Sequence, residues 1–444
     1  MTNRIKSTGI VLMAALSLGA CDSLLDVNNP NNLVEESIQQ PSAASAVVNG
    51  AQARTARAIG FIWQPYAVAA DEFYWIGSRD AWLSLDQGFI SDPNNEFTDA
   101  AFPPLGDARW LTDLAVETLQ GHVANTPSTR MKTDLARAHL YAGIMHMVIG
   151  EVQEDFALSD KTETAPPLGP ENMYTLLDEA ITHFDAAVSG ATDVGDADLK
   201  LKATALRARA KHSRAIWDQI NPSPKSGSGL VGSASAATDA LAAIGLAGGA
   251  AADWNYDFHY SAGTVGNDLA NWVNDRKENQ VDLTLVNVNA ANDIASIKIQ
   301  DPIDAVADPA FLKRLEKFKD GAFNSKGSQY SPLTIVSTRL MHLIAAEDAL
   351  AKGDNAGFTT HVNHVRAMDG LTPYSGQVDA ADLLKHERRV NTWLMGLRLG
   401  DMYRFGIKAA GWQTQGDAVS KPGTMLPITI VEIRSNCYLN GAGC

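Results

Sequence analysis

The chain has 444 residues, with 36 Lys and Arg against 51 Asp and Glu, for a formal charge of −15. Such an acidic balance argues against nucleic acid and other polyanions as partners. No stretch reaches the ~18 uninterrupted apolar residues of a membrane-spanning helix, so the rest of the chain is expected to be soluble.

The N-terminus comes first. Arg4 and Lys6 precede an apolar run from Gly9 to Leu18, which ends in Leu18-Gly19-Ala20-Cys21. These are the parts of an export signal, and the run covers only about half of the ~30 Å hydrocarbon core. A cysteine directly after small residues is where signal peptidase II cuts, once the sulfur carries diacylglycerol. Residues 1–20 are therefore expected to be a lipoprotein signal peptide, and Cys21 the acylated, palmitate-bearing residue. Several acyl chains make a stable tether where one is marginal. Processing removes two positive charges and no acid, moving the formal charge to −17.

Residues 61–111 hold Trp63, Tyr66, Phe73, Tyr74, Trp75, Trp82, Phe89, Phe97, Phe102 and Trp110 among Pro, Gly and Asp-Asn turn signals, which predicts a long irregular stretch. Residues 131–149, 172–188, 199–217, 334–351 and 356–368 repeat apolar residues every three or four positions and predict amphipathic helices. The run from Met131 to Ala138 is similar to that from Leu201 to Ala208, an offset of 70, close to twice the ~34-residue tetratricopeptide period. Leu340 to Ala351, the turn Lys352-Gly353-Asp354-Asn355 and Phe358 to Met368 predict a helical hairpin of the kind that stacks on its neighbours. Residues 221–235 are a Pro/Gly/Ser loop. Residues 248–300 are β-prone, and the alternation in 254–260 suits a strand with one aromatic face. Cys437 and Cys444, an even pair in an oxidising compartment, are a disulfide candidate. The expected fold is mainly α: tetratricopeptide-like helical hairpins with long irregular loops and a few short strands.

No H-E-x-x-H, G-x-S-x-G or Walker loop is present, which leaves no catalytic residue, cofactor or metal to assign. His139 and His146 share one helix face and His361 and His364 lie three apart, but no third ligand stands at a helpful spacing, so packing positions are the expectation. Asp193, Asp196 and Asp198 lack the Gly and terminal Glu of a calcium loop. For ligand capture, aromatic faces offer apolar area to the C–H faces of a sugar or to a peptide side chain. Tyr74, Trp75 and Trp82 in the first long stretch, and Trp254, Tyr256 and Tyr260 in the second, are the candidate binding residues. Asp71, Arg79, Asp80 and Asp257 would supply directional hydrogen bonds.

The C-terminal third carries an ordered series: Arg339 and Ala345-Ala346-Glu347-Asp348-Ala349, then Asn363-His364-Val365-Arg366, Glu387-Arg388-Arg389, Gly396-Leu397-Arg398-Leu399-Gly400-Asp401-Met402-Tyr403-Arg404-Phe405-Gly406, and Leu426-Pro427-Ile428. This series resembles the SusD/RagB family of nutrient-binding outer-membrane lipoproteins, whose "AEA", "N-x-V-R", "E-R-R", "G-x-R-x-x-D-x-x-R-x-G" and "L-P-I" segments follow in that order. Asp26-Val27-Asn28-Asn29-Pro30 and the helix at 202–209 extend the resemblance upstream. Two departures stand out: Val390-Asn391-Thr392-Trp393 follows the "E-R-R" helix where an acidic residue is common, and the middle third matches no motif.

The resemblance implies one SusD-like domain over 21–444, with an N-terminal part of about 21–330 and the motif region at about 331–444. It implies an outer-membrane, lipid-anchored, outward-facing protein that captures an oligosaccharide or peptide and serves as the lid of a SusC-like TonB-dependent transporter. The Glu and Arg motif residues pair across helices in that reading. The alternatives are a lipid-anchored surface glycoside hydrolase and a tetratricopeptide-like assembly scaffold.

Overall fold

The computed structural model describes residues 40–160, 163–441 and 443–444; the signal segment and Cys21 lie outside the described residues. After a single turn at Pro41–Ala43, helix α1 runs over Ala44–Ala69 and leads into strand β1 (Phe73–Trp75), α2 (Asp80–Asp86) and α3 (Glu96–Asn125). Helices α4 (Thr129–Val152), α5 (Tyr174–Val194), α6 (Ala197–Ile220) and α7 (Ala234–Leu246) follow. Each packs on the one before it, α3 to α7 in sequence order. Their ends are set by local chemistry. Ser128 and Asp196 accept from backbone N–H groups of the first turns of α4 and α6, and Gly195 closes α5 with φ of 74°.

The α4–α5 contact is close because small residues sit in it. A Cβ on Gly143 would fall 2.7 Å from the Phe184 ring, and one on Gly190 would fall 2.8 Å from the Ala136 Cβ. Either side chain would force the two helices apart.

The stretch at 61–111 differs from its expectation. It is largely helical, with the end of α1, α2 and the first half of α3 inside it, and Pro65, Pro103 and Pro104 lie within helices. A proline in a helix removes a hydrogen bond and costs about 3 kcal/mol. Burial of Trp63, Tyr66, Phe97, Phe102 and Leu105 offsets that cost here.

The strands form three antiparallel pairs: β1 with β3 (Asn279–Val281), β2 (Asn255–Phe258) with β6 (Leu333–Ser337), and β4 (Val286–Val288) with β5 (Ile294–Ile297). Helix α8 (Pro309–Phe318), capped by Asp308, lies between β5 and β6. Helices α9 (Thr338–Ala351) and α10 (Asn355–Ala367) form the expected hairpin, with Gly353 at φ of 77° in its turn. With α11 (Ala380–Asn391) they bury Leu343, Ala346, Phe358, Val362, Val365, Leu383 and Leu384 in one cluster. Helix α12 (Arg398–Arg404) follows, and near the end of the chain Cys437 and Cys444 are joined by a disulfide, Cα atoms 5.1 Å apart. No helix among the described residues is long and apolar enough to cross a membrane.

The charged motif residues are buried and paired. Glu347 on α9 is 0% exposed and takes Arg404 of α12 on both carboxylate oxygens and His212 Nε2 of α6 at 3.0 Å. Its Oε1 also accepts from Val231 N at 3.0 Å, while Arg388 Nη1 of α11 lies 3.7 Å from Oε2. Asp401 bridges Arg388 Nε at 2.8 Å and Arg404 Nε at 2.9 Å. Arg366 holds Asp301 at 2.6 and 3.0 Å and Glu387 at 3.0 Å. Burial alone would raise the Glu347 pKa, but Arg404, His212 and Arg388 outweigh it and hold the carboxyl well below its usual value.

Removing one partner of such a buried group leaves uncompensated charge, at a cost of about 3–5 kcal/mol. Glu347→Gln is therefore expected to lower the stability to urea by about that amount at pH 7. Because the folded-state pKa is depressed, the carboxylate's contribution is complete above the unfolded value of 4.5 and is lost as pH falls below it. The difference between parent and variant should therefore shrink on acidification; a constant difference would remove the carboxylate from the account.

Candidate functional site

The aromatic candidates divide in two. Trp82 is 0% exposed, stacked on Phe97 at 3.5 Å between ring centroids and edge-on to Trp272 at 5.7 Å. Tyr256 and Tyr260 are also buried: Tyr256 lies edge-on to Phe258 at 5.6 Å, and Tyr260 Oη donates to Ala56 O at 2.9 Å. The alternation in 254–260 is real, but its aromatic face points into the core. These three residues are packed into the core and offer no free ring face. Tyr74, Trp75 and Trp254 are half-buried.

The proposed polar helpers are mostly engaged. Asp71 is buried and takes Arg398 at 2.8 and 3.1 Å, Arg79 pairs with Glu96, and Asp257 accepts from Lys317 Nζ at 2.6 Å and Thr334 Oγ1 at 2.7 Å. Asp80 is exposed in the first turn of α2. Beside Asp71, burial pushes the Glu72 carboxyl up to about 8, opposed by the hydrogen bond from Leu394 N.

A groove of about 390 Å³ opens next to β1 and β3. Its walls come from three places: the turn at Val273–Asn274 with Lys277 and strand β3, the β4–β5 hairpin at Asn289–Ile294, and the loop Lys319–Lys326 after α8. Antiparallel register sets Tyr74 opposite Gln280 and Trp75 opposite Asn279, and both partners line the groove. Directly opposed residues have Cβ atoms about 5 Å apart, so each half-buried ring stands beside its partner on its own face of the two-stranded ribbon, and neither ring is among the groove-lining residues.

The lining is built from side-chain amides. Asn274, Asn279, Asn289, Asn292, Asn324 and Gln280 all face it, with Phe323 the one aromatic ring among the lining residues. Asn289 Oδ1 accepts from Ala291 N at 2.8 Å and Asp293 N at 3.0 Å, which fixes the hairpin tip. Gln280 Nε2 donates to Asn292 O at 2.6 Å. Asn274 Nδ2 donates to Phe318 O at 3.1 Å and Ser328 O at 2.9 Å, and its Oδ1 accepts from Lys319 Nζ at 2.9 Å. Gly327 has φ of 80° and packs so tightly on Asn274 that a Cβ would fall 2.6 Å from its amide carbon.

Asn279 differs from these. It is 1% exposed, yet neither Oδ1 nor Nδ2 has a hydrogen-bond partner on the protein. A buried amide left in this way costs about 1–3 kcal/mol, so the position holds polar capacity that folding does not use. Lys319 is its charged counterpart at 4% exposure. Burial, with a smaller push from Lys277, lowers its pKa to about 8 against the opposing pull of Asp293. Among the lining residues Asp293 is the one carboxylate, and Lys277 Nζ pairs with it at 3.2 Å. Glycoside hydrolysis needs two.

Sequence reasoning missed this groove, since the residues come from three segments and match no motif. The available signal was asparagine density: Asn267, Asn271, Asn274, Asn279, Asn287, Asn289 and Asn292 fall within 26 residues. A narrower crevice of about 40 Å³ beside Tyr66, Glu151 and Ser213 has room for a few waters only.

The sequence matches no family model and no curated protein. Solved structures do match the fold. A SusD superfamily protein from Bacteroides thetaiotaomicron superposes with a TM-score of 0.64 at 13% identity, covering 89% of this chain and 98% of that one. A SusD superfamily protein from Bacteroides fragilis gives 0.60 at 13% identity, covering 90% and 99%. A SusD-like carbohydrate binding protein from Bacteroides vulgatus gives 0.52 at 12% identity, covering 82% and 83%. The mainly helical expectation, with its few short strands, is met.

Trp82→Ala is expected to destabilise the fold by about 3–5 kcal/mol, the range for removing a buried aromatic side chain. Trp75→Ala, half-buried in β1, is expected to cost clearly less in chemical denaturation. Equal losses would place Trp75 in the core as well.

Proposed function

Given a SusD-like fold with an amide-lined groove, we propose that this protein captures an oligomeric glycan at its surface and hands it to a TonB-dependent outer-membrane transporter, over which it sits as a lid. The observation that carries the reading is Asn279, a buried amide facing the groove with every donor and acceptor free. Neutral polyols present alternating donors and acceptors, which amides match in both senses without the desolvation cost of a charge. Phe323 supplies ring surface beside those amides, as sugar C–H faces require. The carbohydrate-binding neighbour and the motif order support the same class of ligand.

Reversible capture needs no bond chemistry. The groove offers positioned hydrogen bonds and one carboxylate held by a lysine, which favours binding over hydrolysis as its role. A lipid at Cys21 would tether the protein to the outer membrane facing outward, and a SusC-like barrel would be its partner. This is the address that the signal-like segment and the resemblance support.

Calorimetric titration of the processed chain with a panel of neutral oligosaccharides tests the reading. Asn279→Ala and Asn324→Ala are each expected to weaken the best binder about tenfold, the equivalent of about 1.4 kcal/mol, with thermal midpoints nearly unchanged. Unchanged affinity in both variants would move the ligand elsewhere. Detergent extraction of the outer membrane should co-purify a large β-barrel with the parent, and Cys21→Ala should leave the membrane fraction.

A further inference from the structure

Helices α3, α4 and α5 bring together histidines that lie far apart in sequence. His146 Nε2 of α4 lies 3.0 Å from Asp113 Oδ1 of α3, and the ring of His183 of α5 stands beside that of His146, centroids 5.4 Å apart. One ligand atom from each of Asp113, His146 and His183 falls within 4.8 Å of the others. The His139–His146 pair has its third and fourth partners after all, from neighbouring helices.

We propose that Asp113, His146 and His183 form a binding site for a divalent transition cation, with Zn²⁺ the best fit. Zinc takes His nitrogen and carboxylate oxygen at about 2.0–2.2 Å in a tetrahedron, which puts ligand atoms about 3.3 Å apart. The His146–Asp113 separation is already close to that value, and His183, within 4.8 Å of the others, has to close by at most about 1.5 Å. Zn²⁺ would take the place of the proton that His146 shares with Asp113.

The surroundings favour the metal-binding form of each group. His183 Nδ1 lies 2.9 Å from His139 Nδ1, a distance that needs one proton between the two nitrogens. With that proton on His183, its Nε2 carries the free lone pair, and His139 fixes ring and tautomer from behind. Arg109 pairs with Asp113 through the other oxygen, Oδ2, at 3.3 Å and leaves Oδ1 clear. Glu179, exposed on α5, lies 3.6 Å from His183 Nε2 and is placed to be a fourth ligand, with water as the other choice.

Access is open, because a surface hollow of about 400 Å³ is lined by Asp113, His146, Glu179 and His183. The other grouping of this kind, Asp301, Asp308 and His386, lacks such freedom: Asp301 is bound to Arg366 through both oxygens, and Asp308 caps α8 while holding His386 at 2.8 Å. The proposed site ties three successive helices together on ground separate from the amide groove, so it stands or falls independently of glycan binding.

The test uses the full processed chain, stripped with a chelator and titrated with Zn²⁺ alone. One Zn²⁺ per chain is expected, with affinity falling at least tenfold in His183→Gln and in Asp113→Asn and unchanged in His361→Gln, a histidine outside the site. Co²⁺ should give the visible absorption bands of four-coordination in the parent and lose them in the two site variants. Asp113, its side chain 32% exposed, is the milder change and His183, at 11%, the deeper one; should His183→Gln misfold, Asp113→Asn carries the test. Zn²⁺ binding that survives both site variants, or no stoichiometric binding by the parent, would overturn the proposal.

Discussion

The fold depends on a carboxylate that water cannot reach. Glu347 sits in the middle of α9 with no exposed surface, and an ionised group there is tolerated only if cations and N–H groups saturate it. Arg404, His212, Arg388 and Val231 N do so from α12, α6, α11 and the loop before α7. Each of these elements must therefore stand at one distance and one angle from α9. Asp401 then ties Arg388 to Arg404, and Arg398 reaches Asp71 at the foot of β1. Through that last pair the charge network fixes β1, the strand against which the groove-lining Asn279 and Gln280 are registered.

This arrangement separates the molecule into a part that is charged and determined and a part that is amide-rich and unfilled. In the network the carboxylates Glu347, Asp401 and Asp301 are all hydrogen-bonded within the protein, while Arg388 Nη1 and Nη2 make no hydrogen bond. Among the residues lining the groove, the Asn279 amide is the one buried side chain left without a partner. Unused hydrogen-bonding capacity is a reasonable basis for capture, since a ligand that satisfies it recovers what folding left unspent. The same contrast explains why many arginines in one region need not mean an anion site: Arg366, Arg398 and Arg404 are each matched by buried acids.

Much of the scaffold was legible in the sequence. The three- and four-residue spacing in 131–149, 199–217 and 338–351 marks faces that are indeed buried, and the Gly353 turn was readable from its residue type, whereas 334–337, expected to open the third of these helices, is strand β6, paired with β2. The charged motifs were readable as helix pairing because their spacing suits it. The stretch at 61–111 was not, since Pro and Asp-Asn signals read as loop when local propensity is the only guide, and tertiary burial of Trp63, Tyr66 and Phe97 overrides it. Which ring faces outward was equally hidden: Trp82 and Trp75 are alike in sequence, and only packing separates them. Both the groove and the histidine cluster depend on residues from distant segments, which no spacing within one segment can announce.

Backbone hydrogen exchange with and without a bound neutral oligosaccharide tests the central claim most directly, because it reports where the ligand sits without altering any side chain. The account predicts slower exchange confined to 273–280, 289–294 and 319–326, with the charged stretch from Arg388 to Arg404 unaffected. Protection centred on that stretch, or on 254–260, would contradict a groove built from unfilled amides.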